Sequence, residues 1–304
     1  MTSLSVPARR DEDASLRPVP WRRMVWVTWR QHRVALTGAA ALLGGLAAYM
    51  WIVGRQLHHA YAAAIACHPA SSIACSDLAR RFNELDHHLA NGYLLQPVPA
   101  LIGAFVGAPV LARELETGTF RYAWTQGFGR WRWTLAKLVL LAVVLVAAAG
   151  ALSAVLSWYY RPYFAASSQT VFFVKESPLA PGLFDLRGVA FAAWTLLAFA
   201  IGALAGVLIR RVVPAIGATM VAYGGLSLAA GLYLRQHYLT PLATNKPNVP
   251  TSAWVISQWW TRDGKLAFTG LPPFDIVHQF CPPSAVGPGK PSLGTLAQCL
   301  SSPP

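Results

Sequence analysis

The sequence predicts an all-α protein: a polytopic transmembrane helical bundle with five recognisable spans and a cytoplasmic N-terminus. Three observations carry that expectation. Hydrophobic residues make up 55% of the 304 and charged residues only 12%, and the apolar residues fall in long blocks rather than at amphipathic spacing, which excludes an ordinary soluble domain. Five windows, 35–53, 93–112, 138–160, 188–209 and 212–234, contain no charged residue, and each is long enough to cross about 30 Å of hydrocarbon as a helix. With the N-terminus inside, fourteen of the 25 Lys and Arg fall in the short inner segments: seven up to Arg33, five in 113–137, and Arg210 with Arg211. That is the bias expected of cytoplasmic loops.

Residues 1–19 mix Arg9, Arg10 and Arg17 with Asp11, Glu12 and Asp13 and lack the apolar core of a signal peptide. They read as a disordered cytoplasmic tail. Segment 20–33 places Trp21, Val25 and Trp29 at four-residue steps, among Arg22, Arg23, Trp26, Arg30 and Arg33. This suits a short connecting helix in the headgroup layer, with tryptophans at the interface and arginines on anionic lipid. The alternative is a basic flank that orients the first span.

The transmembrane domain occupies 34–235. Its first outer loop, 55–92, is too long for a turn, and Leu78, Phe82, Leu85 and Leu89 mark one face of a helix over 76–89. His58, His59, His68, His87 and His88 follow no zinc-binding spacing and read as solvated helix faces, so no metal is expected. In the second span, Pro97, Pro99 and Pro109 should kink or locally break the helix. Gly103 and Gly107 there, and Gly202 and Gly206 in the fourth, stand at the four-residue interval that lets helices approach closely in lipid. They serve either packing within the chain or pairing of two subunits.

Arg210 and Arg211 alone separate the fourth and fifth spans, so the inner surface must come mainly from 113–137 and the N-terminal segment. The outer loop 161–187 is polar and contains proline. Residues 236–304 regain no span: 251–260 offers only ten uncharged residues, which Thr261, Arg262 and Asp263 interrupt, so this segment should lie outside the cell. All four cysteines, Cys67, Cys75, Cys281 and Cys299, fall on that side, as disulfides would. Short loops close most readily, which favours Cys67 with Cys75 and Cys281 with Cys299. Cross-pairing between loop and tail is the alternative.

Catalytic signatures are absent. The nearest fragment to a phosphate-binding loop, 287–292, has Pro291 where a hydroxyl residue should follow the lysine. No nucleophile elbow, His-Glu-x-x-His motif or charged pair within a span occurs. Neither enzymatic activity nor a cofactor is expected. No basic stripe has the aromatic and glycine signature of a nucleic-acid module either.

What remains is the inner loop, 113–137. Glu114 and Glu116 put two carboxylates at the end of a span, Gly118 permits a turn, and Thr119 can cap a short helix over 120–126 that projects Phe120, Arg121, Tyr122 or Trp124 toward a partner. The run from Gly107 through Arg113, Glu114, Glu116 and Gly118 to Thr119, followed by Trp124, Gln126, Arg130 and Lys137, resembles the second-span exit and loop of bacterial type-2 ABC exporter permeases. Segment 21–33 is similar to that family's connecting helix.

The resemblance implies a permease in the bacterial plasma membrane, paired with itself or a related permease. Separate ATP-binding subunits would dock on the inner loop and connecting helix. It assigns coupling to Glu114, Glu116, Gly118, Thr119, Arg121 and Trp124, and lipid or ATPase contact to Arg22, Arg23, Trp26 and Arg30. The family normally has six spans, so the five here point to a shortened member or to a sixth span beyond this sequence. The uncharged lining suits an apolar or amphipathic small substrate. The competing expectation is a non-transporting membrane protein that binds a ligand or envelope partner through its outer segments.

Overall fold

A computed structural model describes residues 21–68, 73–86, 94–118, 130–169, 178–244, 253–257, 259–262 and 265–269. Five of its helices are long and apolar enough to cross a membrane.

Helix α1 (Trp21–Ala66) runs for 46 residues, about 69 Å at 1.5 Å per residue. The separate connecting helix expected over 20–33 is therefore joined to the first span without a break. No glycine or proline occurs from Trp21 to Thr37 to interrupt the hydrogen-bond ladder. The helix also continues past the expected end of the span, through Arg55 to Ala66. Leu36, Leu43, Met50 and Leu57, seven apart, are all buried, Leu57 completely. This heptad seam lies against α4 (Arg130–Tyr159), whose Leu141, Leu145, Ala149, Leu152 and Leu156 belong to the same core.

Helix α2 (Ile73–Asp86) begins three residues earlier than its apolar face predicts and turns back along α1, Phe82 meeting Tyr61 at 5.7 Å. A Cys67–Cys75 disulfide closes the turn, Cα to Cα 5.6 Å. Cys281 and Cys299 lie outside the described residues. His58 departs from expectation: it is half-buried, its Nε2 lies 3.0 Å from the Trp158 carbonyl, and its ring stacks on Trp158, which also stacks on Trp51. An imidazole at that position in α1 locks onto α4 rather than facing solvent.

Helix α3 (Val98–Thr117) opens behind Pro97 with Pro99 in its first turn, and a π-helical turn, Gly103–Gly107, interrupts it before Pro109. The π turn supplies the local irregularity expected from the prolines. After α4 come α5 (Arg161–Gln169), the single-turn α6 (Pro181–Asp185) and α7 (Gly188–Ile209). Ser153 donates to the Gly188 carbonyl at 2.7 Å, and the Gly188 N–H donates to Ser157, so two serines of α4 fix where α7 starts.

Helix α7 is the centre of the bundle, packing on α3, α4 and α8 (Val212–Ala229). Its buried face, Phe191, Thr195, Ala198, Phe199, Gly202, Ala203 and Gly206, is built largely of small residues. The four glycines meet there within the chain: a Cβ at Gly103 would sit 2.4 Å from the Ala198 carbonyl oxygen, and one at Gly206 would sit 2.5 Å from that of Ala108. Buried Thr195 and Thr219 donate to carbonyls one turn back, Phe191 and Ala215, so neither hydroxyl is stranded in the apolar interior. Helix α8 runs on through a π turn, Ala230–Leu234, to Arg235–His237.

The segment beyond 236 holds an antiparallel hairpin, β1 (Trp259–Arg262) with β2 (Lys265–Thr269), Arg262 pairing with Lys265. Hydropathy marks Thr261 to Asp263 only as an interruption. The intervening Asp263-Gly264 is nonetheless a strong hairpin signal.

Candidate functional site

The last turn of α3 reaches one end of the bundle and ends at Gly118, whose φ of 69° is the left-handed cap that favours glycine. Two carboxylates stand just before it. Glu114 forms an ion pair with Lys137 of α4, whose side chain is 2% exposed against 26% for Glu114. Glu116 accepts a hydrogen bond at 3.1 Å from the backbone N–H of Val212, the first residue of α8. A carboxylate there also favours the positive end of the helix dipole. His32 of α1 lies within electrostatic reach of Lys137 and Arg113. The last turn of α3, the start of α8, Lys137 of α4 and His32 of α1 thus lie round one polar cluster, next to Gly118.

Of the residues expected to couple to a partner, Glu114, Glu116 and Gly118 are brought together, both carboxylates turned onto neighbouring helices. Thr119, Arg121 and Trp124 lie outside the described residues. Arg22 and Arg23 stand in the first turn of α1. Trp26 is exposed, and the Arg30 guanidinium lies 5.4 Å from its ring centroid, as an interfacial cation–π pair would. Lys137 belongs to the run that carries the resemblance, but no role was expected of it there; the structure makes it the counter-charge of Glu114. The available signal was a lone ammonium opening a 23-residue uncharged run, a position that demands a counter-charge.

At the opposite end, Asp185 of α6 pairs with Arg235, Nη1 to Oδ1 3.4 Å, while that guanidinium lies 4.3 Å over the Phe184 ring. Burial raises the Asp185 carboxyl above the usual carboxylate range. The neighbouring Trp194 side chain and the charge of Arg235 offset this only in part. Asp185, Trp194 and Tyr223 line a cleft of about 270 Å³ between the start of α3, α6, α7 and α8. The sequence gives no sign of this arrangement, because Asp185 and Arg235 are fifty residues apart. Among the described residues no group of three His, Cys, Asp or Glu could hold a metal ion.

The disulfide lies at this end as well. Replacing Cys67 with serine should loosen α2 from α1 by about 2–3 kcal/mol, read as faster proteolysis within Ile73–Asp86. Unchanged cleavage would mean that α2 is held by packing alone.

Five apolar helices packed round a small-residue centre, with the polar clusters described above at their ends, define a multi-pass membrane protein. Residues 40–235, well over half the chain, match the family described as ABC-2 membrane transporter related, and the chain belongs to that family. Proteins of this kind work in general with an ATP-binding subunit and are not themselves the catalyst. No curated protein and no solved structure matches the chain.

Proposed function

We propose that this chain is the membrane-spanning subunit of an ABC exporter, moving a small apolar or amphipathic molecule at the expense of ATP hydrolysed by separate subunits. Beside the family membership, the observation that carries the reading is the Glu114 cluster. Three spans are tied together next to the loop 119–129, Glu114 to Lys137 by charge and Glu116 to the Val212 N–H by a hydrogen bond, so in this reading a push on that loop reaches them as a rigid-body movement. In this reading Glu114 and Glu116 transmit the movement, and Thr119, Arg121 and Trp124 meet the ATPase. Arg22, Arg23, Trp26 and Arg30 hold the membrane surface or the same partner.

The distribution of Lys and Arg supports an orientation with the Glu114 end and the tail 1–19 in the cytoplasm and residues 236–304 outside, and the membrane in this reading is a bacterial plasma membrane. The disulfide then falls on the oxidising side. A second permease, identical or related, completes the transporter. The apolar surfaces that α1 and α8 leave uncovered, such as Ile52, Val213 and Val221, meet lipid or that second subunit.

The test is an affinity pull-down in mild detergent from the native membrane, with mass spectrometry of the recovered proteins. A soluble ATPase should come down with the chain and be lost when 119–129 is replaced by a Gly/Ser linker, which leaves Glu114, Glu116 and Lys137 in place. Folded chain that brings no ATPase would sink the reading and leave a membrane protein that binds a ligand or envelope partner through its outer segments.

A further inference from the structure

The cleft at the Asp185 end is the second place where this chain concentrates chemistry, and the Glu114 cluster does not use it. Its walls come from four elements: Gln96 and Pro99 at the start of α3, Asp185 of α6, Phe191 and Trp194 of α7, and Tyr223 to Leu232 along α8 and its π turn. Trp194 and Tyr223 meet edge to face with centroids 5.7 Å apart. Among the described lining residues there is one acid and no Lys, Arg or His. Arg235 meets that acid from the side, its guanidinium held on the Phe184 face and within 5.8 Å of the Trp254 ring.

Arg235 meets one oxygen of this carboxylate at 3.4 Å, and Asp185 also lines the cleft beside Trp194 and Tyr223. From these contacts we infer that the cleft binds an amphipathic organic cation, with its charged head beside Asp185 and the aromatic faces of Trp194 and Tyr223, and its apolar body along Phe191, Leu228 and Leu232. Aromatic faces attract a cation and repel an anion. An apolar cleft with one acid discriminates against a metal ion, which needs several oxygen ligands. Partial compensation of the buried Asp185 points the same way, since an arriving cation restores what burial removed. The inference rests on the permease reading only for the step after binding, where it names the substrate class. Binding itself needs no ATPase.

The probe is radiolabelled benzyltrimethylammonium, measured by equilibrium dialysis against the purified full chain in non-ionic detergent. Its uncharged carbon analogue, neopentylbenzene, serves as competitor. Asp185→Asn should weaken binding by about tenfold or more, Asp185→Glu should recover part of it, and the uncharged analogue should compete poorly. Gly231→Phe gives a second route that leaves the carboxylate untouched, because Gly231 lines the cleft and a Cβ there would meet nothing within 4 Å. That variant should block the cleft and abolish binding.

No binding to the folded wild type would overturn the inference. So would undiminished binding by either folded variant, or equal competition by the uncharged analogue. Loss of the ATPase pull-down with binding intact would instead sink the permease reading and leave the cleft standing.

Discussion

Replacing Glu114 with alanine is expected to destabilise the bundle by about 3–5 kcal/mol, because it strands a buried ammonium. Lys137 is 2% exposed and sits at the end of an apolar helix, whereas Glu114 is 26% exposed. The two single substitutions should therefore be unequal. Lys137→Met leaves a carboxylate that can still reach water and should cost about 1–2 kcal/mol. The pair Glu114→Leu with Lys137→Met removes both charges and should recover most of the loss, since buried ion pairs are often replaceable by apolar residues of similar volume. Unfolding in mixed micelles, run as a double-mutant cycle, reads all three. Equal effects of the single substitutions would mean that Lys137 finds another counter-charge. The cycle also separates structure from coupling: a doubly apolar protein that is stable, still binds its ATPase and no longer transports would make the ion pair part of the transmission.

A methyl group at Gly202 should be the most damaging small change in the membrane. Its Cβ would lie 2.1 Å from the Gly103 carbonyl oxygen and 2.9 Å from the Ala108 nitrogen, both backbone atoms that cannot rotate away. Helices α3 and α7 would have to part along their contact, at a cost of about 1–3 kcal/mol or more. Gly206→Ala should act in the same direction, its Cβ meeting the Ala108 carbonyl oxygen at 2.5 Å. Gly44→Ala and Gly217→Ala are the controls, for nothing lies within 4 Å of either added Cβ. Alanine there should be neutral or stabilising by up to about 1 kcal/mol through helix propensity. Similar losses at all four positions would show that helix backbone, rather than the close approach of α3 to α7, decides the outcome.

Much of this bundle was legible in the sequence. The charge-free runs located all five spans, the fourth to the residue, and the glycines at 103, 107, 202 and 206 marked the tightest contact. They could not say whether that contact lay within the chain. The heptad of Leu36, Leu43, Met50 and Leu57 is equally present in the sequence, but hydropathy marks a span without marking its inward face. Part of the polar cluster was visible as Glu114, Glu116 and Gly118, but as residues presented to a partner. Their contacts with Lys137 and the Val212 N–H depend on how far each helix end projects. The Asp263-Gly264 hairpin escapes for a different reason, since charge in that stretch serves a hydropathy reading only to exclude a span.

By itself the sequence determined which segments are helices in the membrane, with both ends of the fourth, along with the small residues that allow close packing. Each of those is a local matter, because in lipid the backbone must satisfy its own hydrogen bonds and a charge can sit only near an end. Tertiary structure alone decided that Lys137 answers Glu114, that Asp185 meets Arg235, that His58 lies on Trp158, and that four elements leave a cleft with one acid. Those pairings depend on the rotation and depth of each helix relative to its neighbours. Many arrangements satisfy the same hydropathy, and the choice among them is made by side-chain packing across spans.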